Sequence, residues 1–351
     1  MTIDIFRPVV RLERQHPVFQ MLVHPPHSPE REVIAAWAEG FNDRDGKFVQ
    51  EFQMTFESGL WELYLHAALK EWKLPVDMRY HAPDFVVGGG VPFGIEAVIA
   101  APAHGGKPSF GYSERDIPTE FTQFNIESTL RICNSFDGKV KRYHKHYAGL
   151  PHMVDRPFVI AIASFDRPLA HLAAFRPILA AIYGVYHDED ITPKGAEDVV
   201  SYNVAAAPKN ETVNIDLGLF CDDTYADVSA VFYSSLVTWG KLRALADNPT
   251  AKQIFTTLHP NSDSIEAKVR HTKKCDYSEH LMDGLCVLHN PFAKRPLPKS
   301  MFAHPRIMQA TVAADGELIT DAPDDFLLVR MVQALVDPGT AFRHVGLEPK
   351  K

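Results

Sequence analysis

Two carboxylates flank a Gly-rich reversal in HAPDFVVGGGVPFGIEAVIA, residues 81–100: Asp84 stands before it and Glu96 after it. Pro92 cannot donate to a sheet ladder, and three glycines tolerate the positive φ of a tight turn, so residues 88–92 read as the loop of a β-hairpin. A reversal symmetric about Gly90 pairs Val86 with Gly94 and sets Asp84 opposite Glu96. Directly opposed like charges are unfavourable, with side chains about 5 Å apart. A divalent cation between them turns repulsion into attraction. Hard oxygen ligands, with water filling the remaining positions, suit Mg2+ or Mn2+ better than zinc. An ion so held polarises a phosphoryl oxygen and lowers the pKa of bound water, so the chemistry indicated is hydrolysis.

A third carboxylate is available from the preceding helical segment. Projected at 100° per residue, Phe56–Trp72 gives an apolar arc around most of the circumference, and Glu57 falls near its middle, between Tyr64 and Ala68. An ionised Glu there is costly unless a cation or hydrogen bonds compensate it. Glu62 falls at the edge of the arc, beside His66, Gly59 and Lys70. Glu57 is therefore the expected inward group and Glu62 the expected surface residue. Their angular separation of about 140° argues against both reaching one ion.

The elements that must position these groups follow from pattern. Residues 29–42 read as a short amphipathic helix, and Phe52–Trp72 as a long one ended by Pro75. After the hairpin and a Gly/Pro-rich loop, a second long helix over roughly 119–148 carries Cys133, Phe136, Val140, Tyr143 and Tyr147 at helical spacing. Asp137-Gly138 inside it costs about 1 kcal/mol relative to Ala. PFVIAIASF is an unbroken apolar run of strand length, as expected of a central strand covered on both faces, and a helix over 169–183 follows. Farther on, 228–235 and 284–289 read as strands, 237–246 as a helix and 312–319 as a hairpin with Asp315-Gly316 at its turn. The order implies an α/β protein with a mixed sheet.

Taken together, a helix bearing Glu57, Pro83-Asp84 on one strand, Glu96 on the next, a long helix and a buried strand resemble the PD-(D/E)XK nuclease superfamily over roughly residues 45–165. FESGLWELYLHAAL, RPFVIAIASF, SAVFYSS and HNPFAKRPLP are similar to segments of a family of bacterial proteins related to it. The resemblance implies a restriction-endonuclease-like αβββαβ core with a mixed central sheet, extended by a C-terminal α/β region. It further implies Mg2+-dependent cleavage of a phosphodiester, with Asp84, Glu96 and the Ala97 carbonyl on the metal and a helical Glu, Glu57 or Glu62, assisting. The lysine of the motif belongs two positions after the Glu, where this chain has Val98. An isopropyl group cannot orient water or steady a phosphorane. The resemblance allows that lysine to come from the following helix, and Lys139, on a strip with Arg131, Ser135 and Arg142, is the natural substitute. A cation there would clamp the scissile phosphate. Arg131, Arg142, Lys241 and Arg243 are the remaining expected phosphate contacts.

Composition bounds these readings. The 351 residues, 46% apolar and 23% charged, suffice for a helical extension (1–44), a nuclease-like core (45–185) and a C-terminal α/β extension (186–351), separate from the core sheet or continuous with it. A net charge of −8 argues against coating nucleic acid by bulk electrostatics, although KVKRYHKH at 139–146 and KVRHTKK at 268–274 are locally basic. The longest apolar run, Leu169–Tyr186, is interrupted by His171, Arg176 and Pro177, so no membrane span is expected. Four cysteines without CxxC spacing fit a reducing cytoplasm, and the spacing of His271, Cys275, His280, Cys286 and His289 is too irregular for a zinc site. Two functional readings stay open: a metal-dependent nuclease acting on DNA rather than RNA, or, given Val98, a catalytically impaired nuclease-fold module that binds nucleic acid or protein. A homodimer is compatible with both.

Overall fold

The computed structural model describes residues 3–210, 212–313 and 315–335. Its helices are α1 (Pro17–Leu22), α2 (Ser28–Ala38), α3 (Phe48–Met54), α4 (Phe56–Glu71), α5 (Phe121–Arg142), α6 (Arg176–Tyr183) and α7 (Trp239–Leu245). Its strands are β1 (Phe85–Val87), β2 (Phe93–Ala100), β3 (Phe158–Ser164), β4 (Val185–His187), β5 (Ser201–Asn203), β6 (Ala206–Pro208), β7 (Asn214–Asp216), β8 (Ala230–Ser234), β9 (Gln253–His259), β10 (Lys268–Lys273), β11 (Cys286–His289), β12 (Met308–Val312), β13 (Leu318–Asp321) and β14 (Val329–Ala334).

A seven-stranded mixed sheet in the order β1-β2-β3-β8-β11-β12-β13 organises the molecule. β2, β3 and β8 run parallel at its centre. They are buried on both faces, and apart from Glu96 in β2 their interior positions are apolar. Along β3 the side chains alternate: Val159, Ala161 and Ala163 join the cluster containing α4, whereas Phe158, Ile160 and Ile162 join the cluster containing α5 and α6. Residues beyond 186 extend this same sheet, since β8 pairs directly with β3. A separate sheet, β10-β9-β14, and the hairpin-like pairs β4-β5 and β6-β7 complete the strands. Among the described residues no helix is long and apolar enough to cross a membrane.

Three features position the site. First, the single helix expected over Phe52–Trp72 is broken at Thr55, whose backbone leaves helical geometry (φ −128°, ψ 57°). The hydroxyls of Thr55 and Ser58 donate to the carbonyls of Glu51 and Thr55, competing with the helical ladder. The break lets α3 fold back on α4, where a Cβ at Gly59 would approach the Phe52 ring to 2.7 Å. Trp61 then ties α4 to the sheet through Nε1, which donates to the Ala161 carbonyl at 3.0 Å.

Second, only two strands stand between α4 and α5, where three were expected. The missing one is reduced to a single bridge, Val76 opposite Val87, flanked by bonds from Gly88 N–H to the Pro75 carbonyl and from Asp77 N–H to the Val86 carbonyl, each 2.8 Å. Pro75 has no N–H to extend the ladder. Third, α5 passes through Gly138 without interruption, because Ile132, Phe136 and Val140 remain buried along one face. It then changes to a π-helical turn, Tyr143–Tyr147. Such turns re-aim side chains and recur at functional sites.

Candidate functional site

The hairpin register is Phe85 with Ile95, Val86 with Gly94 and Val87 with Phe93. Asp84 therefore stands one position before β1, at the level of Glu96. Its Oδ2 accepts the Ala97 N–H at 2.7 Å, which holds the carboxylate against the edge of β2. Close packing keeps this corner in place: a Cβ at Gly94 would collide with Met153 and Pro83. Along β2, Phe93, Ile95 and Ala97 join the α4 cluster, which leaves Glu96 on the opposite face, toward α5.

Glu96 is 1% exposed. Its Oε1 accepts from Lys139 Nζ at 2.7 Å and from the Tyr147 hydroxyl at 3.1 Å, while Arg142 Nε stands 3.9 Å away. Its Oε2 is buried and has no hydrogen-bond partner. Val98, two residues on, is half-buried and packs against the α5-side cluster. The ammonium beside Glu96 thus comes from α5, and the π-helical turn supplies the hydroxyl.

Burial, followed by the neighbouring charge of Glu96, pushes Asp84 up to about 6; Lys139, the Ala97 N–H and Arg44 offset only part of this. Glu62 belongs to the same field. Burial and then the charge of Asp84 raise it well above the usual carboxylate range, with Arg44 and Lys139 opposing. Glu57 is elsewhere: its Oε1 is 3.2 Å from His16 Nε2 and accepts from Ser109 Oγ at 2.8 Å. Burial opposes ionisation of Glu57, but the hydrogen bond and charge of His16 outweigh it and hold the carboxyl below its ordinary range.

Glu57 is largely enclosed, as expected, but by His16 and Ser109 and away from Asp84, whereas Glu62, expected at the surface, is the glutamate that shares the field of Asp84. The apolar arc was a poor guide because α4 is enclosed nearly all round: Leu60, Trp61, Leu63, Tyr64, Leu65, Ala68 and Leu69 are all at most 1% exposed. The N-terminal segment bearing His16 covers one side and the hairpin corner meets the other.

Three acids, Glu62, Asp84 and Glu96, thus meet two cations, Lys139 and Arg44. Arg44 is held beside the corner by donating Nη1 to the carbonyls of Tyr80 and Pro83. The unpartnered Oε2 and the raised Asp84 both mark a deficit of positive charge, and the donors are all oxygens. This set fits Mg2+ or Mn2+. Glu62 completes no three-ligand cluster with the pair. Among the described residues the set whose ligand atoms all approach within 4.8 Å is Glu71, His280 and His304. Nδ1 of each of these histidines accepts a backbone N–H, from Met282 and Arg306 respectively, at 3.2 Å. The remaining proton of each neutral ring is then on Nε2, facing Glu71 at 3.5 and 3.8 Å. An ion on the two Nε2 atoms would shift each ring's proton to Nδ1 and break both backbone bonds.

The four arginines and lysines expected to contact phosphate divide. Arg142 is exposed, 5.6 Å over the Tyr147 ring and at the rim of the acidic cluster. Arg131 is half-buried, about three turns earlier on α5, in the wall of a cavity. Lys241 is not available to any ligand: it is 0% exposed and donates to Glu279 Oε1 (2.8 Å) and to the carbonyls of His280 and Asp283 (2.9 Å each). Arg243 is half-buried, 5.8 Å over the Trp239 ring, with Nε buried and unpartnered. Both basic residues of α7 serve packing, because α7 lies against α2 and β14 and not on an open face.

Arg44 and Tyr147 escaped the sequence reading. Tyr147 carried a signal, since a tyrosine on a buried stripe still has a hydroxyl to satisfy. Arg44 sits in the polar stretch FNDRDGK and carried none. No family model, curated protein or solved structure matches this chain.

Proposed function

We propose that this protein is a metal-dependent phosphodiesterase acting on DNA, built on the restriction-endonuclease-like plan of the PD-(D/E)XK nucleases. One observation carries the reading: Glu96 is buried beside Asp84 with one oxygen on Lys139 and Tyr147 and the other without a partner. An unpartnered carboxylate oxygen in the interior is costly to a protein that gains nothing from it.

Asp84 and Glu96 would hold Mg2+ or Mn2+, which when bound supplies a polarised phosphoryl oxygen and a water of lowered pKa. The chain's own groups do the rest. Ala97 N–H fixes the Asp84 carboxylate, and Tyr147 and Lys139 fix Glu96 through Oε1. The Lys139 ammonium also provides the positive charge that Val98 cannot, steadying charge on the phosphate in flight. Glu62, whose carboxyl is raised well above its usual range by burial and by Asp84, would limit the negative charge beside an incoming polyanion. Arg142, exposed outside Tyr147, would contact the flanking phosphate.

A second reading has its own support. The Lys139–Glu96 contact at 2.7 Å partly neutralises the site without an ion, as in a module that binds nucleic acid but does not cut it. Incubating supercoiled plasmid with Mn2+ and wild type, Asp84→Ala or Lys139→Ala separates the two. Nicking by wild type alone, abolished by EDTA, supports the first. Equal nicking by wild type and Asp84→Ala overturns it, and retarded but uncut plasmid favours the second.

A further inference from the structure

A cavity of about 620 Å3 opens beyond the carboxyl ends of β2 and β3, between the loops that follow them, the first turns of α5 and the end of β6. Its size is within the range of roughly 300–1,000 Å3 typical of small-molecule sites. In α/β sheets the carboxyl ends of parallel strands are where ligands gather, because the loops there are free to vary around a rigid edge.

The charges lining it are unequal in their commitments. Lys107 is paired with Asp116, and Arg167 with Asp166 and Glu127. Arg131 and Lys209 also line the cavity, and neither has an acidic partner among the described residues. The Arg167 guanidinium lies 4.9 Å over the Phe124 ring, so one of its faces is already stacked. Phe124, Ile126 and Leu130 add an apolar wall. Asp166, 5% exposed, uses Oδ2 for Ser128 and Arg167, while its Oδ1 has no donor.

An occupant that satisfies the cavity's lining carries an anion for Arg131 and Lys209 and a flat group for the Arg167–Phe124 stack. We propose that the cavity is a nucleotide-binding site, with Arg131 and Lys209 on the phosphate and Arg167 beside the base. Arginine suits both tasks, since its planar fork grips phosphate and stacks on rings. The nucleotide has two sources, a free mononucleotide or the end of a DNA strand. Arg131 precedes Lys139 by eight residues on α5, or about 12 Å, with Ser135 between them donating to the Ile99 carbonyl at 3.2 Å. The strand-end source rests on the nuclease reading; the mononucleotide source does not.

Binding is measured in EDTA, so that cleavage plays no part, using AMP, TMP, adenosine, inorganic phosphate and a short 5′-phosphorylated single-stranded DNA. The expected result is saturable binding of a mononucleotide or of the DNA, weakened at least about tenfold by Arg131→Glu and by Lys209→Glu. Lys209 is exposed, so its variant keeps the test valid should Arg131→Glu disturb α5. Mononucleotide binding identifies the free source, and DNA binding alone identifies the strand end. No saturation by either, affinities unmoved in both charge-reversed proteins, or phosphate binding as tightly as AMP would overturn the proposal.

Discussion

Two buried lysine–glutamate pairs in this molecule look alike and differ in completeness. Lys241 and Glu279 meet at 2.8 Å, and Lys139 and Glu96 at 2.7 Å. Glu279 Oε1 also accepts from Arg330 (2.6 Å) and Oε2 from the Tyr277 hydroxyl (2.6 Å), while the three donors of Lys241 all find acceptors. Burial opposes ionisation of Glu279, yet Arg330 and Lys241 outweigh it and hold the carboxyl below its usual range. Around Glu96, one oxygen has no partner and Asp84 is pushed up by burial and by Glu96 itself. Both oxygens of Glu279 and all three protons of Lys241 are used, although Arg330 Nε beside them has no partner, and a pair so held is a clamp. One left incomplete next to a second acid is what the proposed ion site would require.

The widest gap between the pairs is in stability. Lys241→Met strands a buried carboxylate and is expected to cost about 3–5 kcal/mol in urea unfolding. Glu96→Gln relieves repulsion with Asp84 and is expected to shift stability by less than about 1 kcal/mol. Equal losses in the two variants would erase the distinction. If the proposed nuclease activity holds, the order is expected to reverse in cleavage: Glu96→Gln should lower plasmid nicking at least about a hundredfold, or roughly 2.7 kcal/mol of barrier, in an assay run beside wild type at matched folded concentration.

Stability against pH sharpens the comparison next. Asp84 is about 6 in the folded chain against an ordinary 3.8, so the folded state binds its proton more tightly than the unfolded state does. Ionised Asp84 therefore costs stability above pH 6, and that cost disappears as pH falls from 6 toward 4. Thermal melts of metal-free wild type and Asp84→Asn at stepped pH are expected to diverge above pH 6, the variant being more stable by on the order of 1–3 kcal/mol. Identical pH profiles would mean that the corner is not strained by charge. The smallest effect expected is from Tyr147→Phe, which removes one bond to Glu96 and should slow nicking about three- to tenfold, near 1 kcal/mol, with an unchanged melting temperature.

The two pairs were also unequally legible. Pro92 and the glycines of the hairpin set a reversal about Gly90, and the ladder has that register because turn chemistry is local. Asp84 and Glu96 are only 12 residues apart, so their proximity follows from the turn. The choice between Glu57 and Glu62 did not follow, since a helix enclosed on all sides has no apolar face that points anywhere in particular. His16, which claims Glu57, sits in a segment read as a mere extension. Lys241 was expected to contact phosphate from the start of a helix because Glu279 is 38 residues away and Arg330 a further 51 beyond that, and no local pattern records such a meeting. The strand reduced to Val76 was hidden for the opposite reason: one bridge has no periodicity.

The central claim is that Asp84 and Glu96 are kept together for a divalent ion. Calorimetric titration of the full chain with Mn2+ tests it without reference to any substrate. The account predicts one ion bound per chain at pH 7.5, weakening as pH falls below 6, and lost in Glu96→Gln while Lys241 and its partners stay intact. Undiminished Mn2+ uptake by Glu96→Gln and Asp84→Asn, or none by the wild type, would contradict it.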